Sequence, residues 1–340
     1  MVQKVSFPSG TVNYHLHSSF GELYALCDMQ QAVILTDEHI AALYPHLLKD
    51  LRVITIPAGE DSKSITTIAR LTKELLEIGA TRDTLLIGMG GGVVTDITGF
   101  LAAVFMRGIR CGFVPTTLLA MADAAVGGKN GVNNGMYKNM IGTIRQPEFI
   151  LYDIQLLQTL PQEEWSNGFA EVIKYGCIFD AGLFDELAQH DLAWYMQNND
   201  ALNKVIERCV AWKNRTVAED EHEKGIRKLL NFGHTAGHAI EKLYALPHGK
   251  AVAIGMMIAC HISEQQTGLD AATTQQLEAA LQRYHLPVHM AIDTAKVMAL
   301  LQTDKKRKDD SINYILLQDK GKAVIHPLRL PVIEKALASL

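Results

Sequence analysis

Residues 84–96 read TLLIGMGGGVVTD, and this stretch decides the class of fold. Thr84, Leu85, Leu86 and Ile87 form an apolar run without a polar break, as a strand buried on both faces requires. Gly88, Gly90, Gly91 and Gly92 follow as a loop, and a helix is expected from about Thr95 to Phe105. Strand, glycine turn and helix are the repeating parts of a parallel sheet. Glycines let a backbone approach phosphate oxygens, and a helix N-terminus presents unpaired N–H groups. A pyrophosphate loop is therefore favoured over a mere tight turn. The spacing is not the dinucleotide fingerprint GxGxxG of Rossmann folds. Gly88 and Gly90 fit, but Val93 stands at the third glycine, and no acidic residue closes a second strand about twenty residues on. Asp96 either hydrogen-bonds a cofactor or favours the helix dipole.

The same alternation runs to either side. Residues 32–36 are a short apolar run ending at Asp37, and 52–56 another ending at Pro57-Ala58-Gly59-Glu60. A helix is expected from Ser64 to Ile78, with Ile65, Ile68, Leu71, Leu75 and Ile78 inward, and a strand near Gly112–Val114. After Pro161 the period changes to that of amphipathic helices, over 162–189, 200–219, 225–244, 251–267 and 271–285. Strand signals return only at 312–317 and 322–325, flanking the hairpin turn Gln318-Asp319-Lys320-Gly321. Two domains are expected, an α/β domain at 1–158 with a largely parallel, Rossmann-like sheet and a helical domain at 159–340, with a ligand site between them.

At 340 residues, 48% hydrophobic and 20% charged, the chain has an ordinary globular composition. A net charge of -5 argues against nucleic acid as a partner. Five scattered cysteines without a CxxC pair point to a reducing compartment. No apolar run reaches the ~18 residues of a membrane span. A cytoplasmic protein with no membrane partner is expected.

A second stretch, RKLLNFGHTAGHAIE at 227–241, reads as one helix with Leu229, Leu230, Phe232, Ala236, Ala239 and Ile240 on its buried face. Gly233 and Gly237 mark close approach of a backbone or a ligand. His234 and His238 are four apart and share a side of the helix. His248 opens the next apolar helix, HGKAVAIGMM. Three histidines near small residues suggest a metal or proton-transfer site, and the alternative is hydrogen-bonded core histidines. The glutamate of HExxH is missing, which excludes that zinc motif. Between 105 and 145, Gly128-Lys129 is not a phosphate-binding P-loop, because Asp123 stands where its first glycine belongs. Arg107, Lys129, Lys138 and Arg145 favour an anionic small-molecule site over a solvated loop. The basic run Lys305-Lys306-Arg307-Lys308 is either solvated or reaches an anionic substrate.

Taken in order, PAGEDSKS (57–64), GMGGGVVTD (88–96), FMRG (105–108), PTTLLA (115–120), VGGKNGVN (126–133), KNMIG (138–142), GFAEVIKYG (168–176), 219–241 and HGKAVAIGM (248–256) resemble the 3-dehydroquinate synthase family of sugar-phosphate cyclases. Each block is modestly specific, and together they cover nearly the whole chain. The resemblance implies a homodimeric phosphorus–oxygen lyase of the shikimate pathway, with an NAD-binding α/β domain and a helical metal-binding domain. Its substrate would be 3-deoxy-D-arabino-heptulosonate 7-phosphate, and its cofactors NAD and a zinc or cobalt ion. It implies Glu171, His234 and His248 as metal ligands, with His238 in proton transfer or at the phosphate. Asp37, Glu60, Lys63, Gly91, Gly92, Asp96, Thr116 and Thr117 would hold NAD. Asp123, Lys129, Asn139, Lys174, Lys213, Glu223, Arg227 and Asn231 would surround the substrate carboxylate and hydroxyls. Lys129, Lys138, Asn139, His238 and Lys305 or Lys306 would take the phosphate, with Arg107 donated by a dimer partner.

The chain departs from the family pattern at Thr95, Ala124, Ala125 and Asn130. Sister cyclases act on sedoheptulose 7-phosphate or glucose 6-phosphate. They and metal-dependent polyol dehydrogenases are the alternatives, and a non-catalytic nucleotide-binding protein is a third. Lys213, Arg227, Leu230 and Asn231 follow the dehydroquinate pattern, and cations are what a carboxylate substrate needs.

Overall fold

The computed structural model describes residues 1–135, 137–302, 307–308 and 311–338. The chain begins with an antiparallel pair, β1 (Val2–Phe7) and β2 (Gly10–His15), then α1 (Leu23–Leu26), β3 (Ala32–Asp37), α2 (Glu38–Leu43), α3 (Pro45–Leu48) and β4 (Val53–Ile56). Next come α4 (Ile65–Glu77), β5 (Leu85–Gly90), α5 (Gly92–Val104), β6 (Arg110–Pro115), the hairpin β7 (Lys129–Asn134) and β8 (Tyr137–Ile144), and β9 (Phe149–Leu151). The helical part holds α6 (Gln162–Phe179), α7 (Ala181–Leu187), α8 (Leu192–Gln197), α9 (Asn199–Glu219), α10 (His234–Tyr244), α11 (His248–Gln266), α12 (Ala271–Arg283) and α13 (Thr294–Gln302). A small antiparallel sheet of β10 (Arg307–Lys308), β11 (Ser311–Asp319) and β12 (Lys322–Arg329) follows, and α14 (Leu330–Leu337) comes last.

Seven strands form the main sheet in the order β1-β2-β9-β6-β5-β3-β4, parallel except at the β1 edge. From β3 the chain passes to β4 on one side, then returns to β5, β6 and β9 on the other. The order therefore reverses between β3 and β5, and ligands of open α/β sheets bind beyond the strand ends at such a point. Both faces are apolar. Leu71, Leu75, Ile97 and Leu101 from α4 and α5 pack with Val33, Leu35 and Leu86, while Ile34, Leu85 and Ile87 face the opposite cluster with Phe20 and Leu156.

The glycine stretch is tighter than its sequence implies. β5 runs through Gly90 and α5 starts at Gly92, not at Thr95, so Gly91 alone makes the turn. Gly88 and Gly90 lie inside the strand, where a Cβ would come within 2.5 Å of Thr98 Oγ1 and of Val94 Cγ2. These two glycines serve strand–helix packing. The expected helix 162–189 is two helices, broken where Asp180 caps α7 through Leu183 N at 3.0 Å. The expected helix 225–244 is also broken. Residues Ile226–Asn231 form a 3-10 turn, Gly233 has φ 77°, and α10 begins only at His234. The polar, glycine-bearing stretch around Lys138 and Asn139 belongs to the β7–β8 hairpin.

The chain divides into two compact units, Met1–Pro161 with Ile206–His222, and Gln162–Val205 with Glu223–Leu340. The expected division, 1–158 and 159–340, differs chiefly in where residues 206–222 belong. Tyr14 donates to Asn214 Oδ1 at 2.6 Å, and Lys213 pairs with Asp123 at 2.9 Å, which holds that segment to the first unit. Among the described residues, no helix is long and apolar enough to cross a membrane.

Candidate active site

In the second unit, glycines let three helices approach closely enough to share one point. A Cβ on Gly255 of α11 would overlap the Gly233 carbonyl oxygen before α10, and one on Gly249 would lie 2.6 Å from Asn167 Cα on α6. His234 and His248 open α10 and α11, and Glu171 is buried at mid-α6. Their ligand atoms lie within 4.8 Å of one another. Glu171 Oε1 is 3.5 Å from His234 Nε2 and 3.2 Å from His248 Nε2. Phe232 O accepts from His234 Nδ1 at 3.0 Å, so the lone pair of Nε2 faces the carboxylate. His248 is held likewise, with Nδ1 3.1 Å from Glu241 Oε2. Two imidazoles and a carboxylate, each turned inward by a partner behind it, match the donor set of a zinc-type cation.

Lys174, one turn from Glu171 and as deeply buried, donates its Nζ to Glu171 Oε2. Burial alone would push the Glu171 carboxyl up, but Lys174, then His234 and His248, hold it well below the usual carboxylate range. Burial drives His234 well below the ordinary imidazole value despite Glu171. Burial also works against a charge on His248, yet its bonds to Glu171 and Glu241 outweigh that and push it up to about 9. His238 is exposed, with its ring centroid 5.1 Å from that of His234 and 6.1 Å from that of His248. It stands outside the Glu171 group and within reach of Glu241. Arg227 is 1% exposed, and Asn231 Nδ2 donates to Glu223 Oε1 at 2.5 Å. Glu241, which lies against His248, is not among the residues that the family pattern singles out. The signal was present, because His234, His238 and Glu241 stand at i, i+4 and i+7 on one helix face.

In the first unit, Asp37 ends β3 and Gly91 and Gly92 follow β5, on the two sides of the reversal in strand order. Gly91 and Gly92 leave bare backbone at the start of α5, where a Cβ on either would come within 3.2 Å of Thr117 or Ala124. The Thr116 hydroxyl, at the end of β6, is buried and has no hydrogen-bond partner among the described residues. A glycine cradle, a helix N-terminus and an unmatched hydroxyl fit the phosphates and ribose of a dinucleotide. Asp37 caps α2 through Ile40 N at 2.9 Å, and Thr117 Oγ1 accepts from Ala120 N at 3.1 Å. Asp96 is an ion-pair partner of buried Lys63. Burial raises its carboxyl above the ordinary value, and Lys63 opposes the rise.

Glu60, Asn133 and Asn139 form a chain of contacts. Asn133 Nδ2 donates to Glu60 Oε1 at 2.8 Å, its Oδ1 accepts from Asn139 N at 2.9 Å, and its own N–H donates to Lys63 O at 2.8 Å. Asn139 has φ 54°, a left-handed conformation that this bond helps to hold. Lys129, Lys138 and Asn139 are exposed along the hairpin. Lys213 contacts Asp123 through both the carboxylate and the main-chain oxygen, at 2.9 and 2.6 Å. Arg107 is exposed in a turn where Met106 has φ 47° and Arg107 itself φ 67°. Arg145, expected among the anion-binding groups, donates from its guanidinium to Ala102 O and Ile109 O at 3.1 and 2.5 Å. Asn130 packs against Gly99 and donates to Gly128 O and Arg145 O at 2.8 and 2.9 Å, so that departure is a matter of packing. Lys305 and Lys306 lie outside the described residues.

The chain matches two family models, 3-dehydroquinate synthase N-terminal over residues 53–167 and 3-dehydroquinate synthase C-terminal over 168–307. It is 43% identical over 304 residues to the 3-dehydroquinate synthase of Acidithiobacillus ferrooxidans, covering 86% of this chain and 84% of that one. With the 3-dehydroquinate synthase of Dichelobacter nodosus it shares 42% identity over 318 residues, 90% of this chain and 86% of the other. Among solved structures, 2-epi-5-epi-valiolone synthase from Streptomyces hygroscopicus subsp. jinggangensis, with NAD+ and Zn2+ bound, superposes with a TM-score of 0.88 at 28% identity, covering 100% of this chain and 98% of that one.

Proposed function

This chain belongs to the 3-dehydroquinate synthase family, and on that premise we propose that it converts 3-deoxy-D-arabino-heptulosonate 7-phosphate to 3-dehydroquinate and phosphate, with NAD+ and a zinc or cobalt ion as resident cofactors. The observation that carries the reading is the buried Glu171–His234–His248 group with Lys174 beside it, in a chain whose first unit offers a dinucleotide cradle. When bound, NAD+ supplies a reversible hydride acceptor for the C5 alcohol and the metal supplies Lewis-acid polarisation of the substrate oxygens.

The chain's own residues bind, orient and move protons. Glu171, His234 and His248 hold the metal. Lys174 keeps Glu171 ionised and presents a cation beside it, and Arg227, Asn231 and Glu223 orient the carboxylate and hydroxyls. His238 serves in proton transfer or at the phosphate. In the first unit Asp37, Glu60, Lys63, Gly91, Gly92, Asp96, Thr116 and Thr117 hold NAD, and Lys129, Lys138 and Asn139 neutralise phosphate charge. Asp123 and Lys213 face the substrate hydroxyls as a fixed ion pair. The elimination of phosphate, with one of its own oxygens as base, requires of the protein mainly electrostatic positioning. We place Arg107 at the phosphate of a partner subunit in a homodimer. The five free cysteines, four of them buried, agree with a cytoplasmic location.

The test follows phosphate, carbocycle and net NADH together, with NAD+, zinc or cobalt, and the heptulosonate phosphate. Equal phosphate and dehydroquinate without NADH build-up is expected. Cyclisation of sedoheptulose 7-phosphate instead would move the assignment to a sister cyclase, and NADH accumulating with a simple polyol would make it a dehydrogenase.

A further inference from the structure

We infer that Glu241 is a positioning residue of the metal centre, holding His248 by Nδ1 so that Nε2 is presented to the cation. The inference rests on the metal role proposed for Glu171, His234 and His248. The two histidines are supported in different ways. His234 has a side chain 11% exposed and is held by Phe232 O, a carbonyl two residues away in its own turn. His248 has a side chain 30% exposed and opens α11 after Pro247, which makes no side-chain cap. Among the described residues, none in its own turn bonds to its ring. Its support comes from α10, where Glu241 Oε2 lies 3.1 Å from Nδ1. The Glu241 side chain is only 11% exposed, so water competes weakly for the bond.

A carboxylate behind an imidazole fixes both tautomer and ring orientation and raises ligand basicity more than a carbonyl does. The arrangement depends on α10 and α11 packing backbone to backbone, because the first residue of one helix must meet the eighth of the other. His238, Glu241 and His248 also lie within 4.8 Å of one another, which leaves a rival role for Glu241 as a ligand of a second cation. Stoichiometry separates the two roles.

The experiment strips the full-length protein with a chelator. It then titrates Co2+ by visible absorption and Zn2+ in competition with a chromophoric chelator, in wild type, Glu241→Gln and Glu241→Ala. One ion per chain is expected. Zn2+ affinity should fall about 10–100-fold in Glu241→Ala, with a changed Co2+ spectrum. Glu241→Gln should fall between, since its amide oxygen accepts the same bond without charge. The changed Co2+ spectrum is a readout that a merely structural role of Glu241 would not move. Wild-type affinity and spectrum in both variants overturn the inference, as do two ions per wild-type chain with only the second lost in Glu241→Ala. If Glu241→Ala fails to fold, Glu241→Gln carries the test. Glu171→Gln and His234→Ala binding as tightly as wild type would overturn the underlying metal reading instead.

Discussion

At the scale of the residue, the Lys174–Glu171 pair sets the electrostatics of the Glu171–His234–His248 group. Both side chains are buried, and Lys174 with the two imidazoles holds the Glu171 carboxylate ionised against burial. Removing one member of a buried pair leaves an uncompensated charge, at a cost of about 3–5 kcal/mol. Lys174→Met is therefore expected to lower unfolding free energy by about that much in chelator-stripped protein. Saturating zinc should recover a large part of the loss, because a cation again faces Glu171. Urea unfolding with and without zinc checks this, and an equal loss in both conditions would show that Glu171 does not face the metal. Glu171, Lys174, His234 and His248 were named through resemblance, whereas the spacing of His234 and His238 alone gave only two imidazoles on one helix face. Helical periodicity reports which side chains share a face of one helix. It carries no information about which helix crosses it, and here the crossing with α6 brings in Glu171 while leaving His238 exposed.

At the scale of the element, the β7–β8 hairpin was the least legible part of the site. Its strands show no apolar alternation, since β8 is exposed over much of its length and glycines stand opposite each other at Gly131 and Gly142. A polar, glycine-bearing stretch reads as loop until pairing partners are known. The break before α10 was hidden for a related reason. An apolar period of 3.6 ran through Gly233, although Phe232 with ψ 128° ends the 3-10 turn and left-handed Gly233 precedes the next helix. The hairpin also links two readings that the sequence kept apart. Asn133 bonds to Glu60 and Lys63 on one side and to Asn139 on the other. Asn133→Ala is expected to weaken both NAD+ and inorganic phosphate binding several-fold, on the order of 1 kcal/mol for each hydrogen bond lost. Fluorescence titration of NAD+ and competition by phosphate measure the two separately. Loss of phosphate affinity with unchanged NAD+ binding would uncouple Glu60 from the hairpin.

At the scale of the whole molecule, two periodicities divided the chain into a parallel-sheet part and a helical part, and both are present. The return of residues 206–222 to the first unit was not visible, because an amphipathic helix such as α9 reads alike whatever it packs on. Side chains far apart in sequence hold that return. Glu221 is the clearest, 4% exposed, accepting from Ser9 N at 3.1 Å, from the Ser9 hydroxyl, and from Gln146 Nε2 at 2.9 Å. Burial alone would raise its carboxyl, but the Ser9 and Gln146 bonds, with His222 nearby, hold it below the ordinary value of 4.5. A depressed folded value means that the ionised form is the one the fold prefers. Its contribution is complete above the unfolded value and is lost as pH falls through the folded one. Hydrogen bonds to a charged group are each worth about 1.5–3 kcal/mol, so wild type should lose roughly that much relative to Glu221→Gln as pH falls from neutral through the depressed folded value. Near neutral pH the variant should be the less stable of the two, and on acidification the difference should close, since Gln cannot be protonated there. Urea unfolding across that range measures the two curves. Parallel curves would mean that Ser9 and Gln146 bond to a carboxyl whose charge the fold does not use, and the hold on residues 206–222 would then rest on Tyr14–Asn214 and Asp123–Lys213.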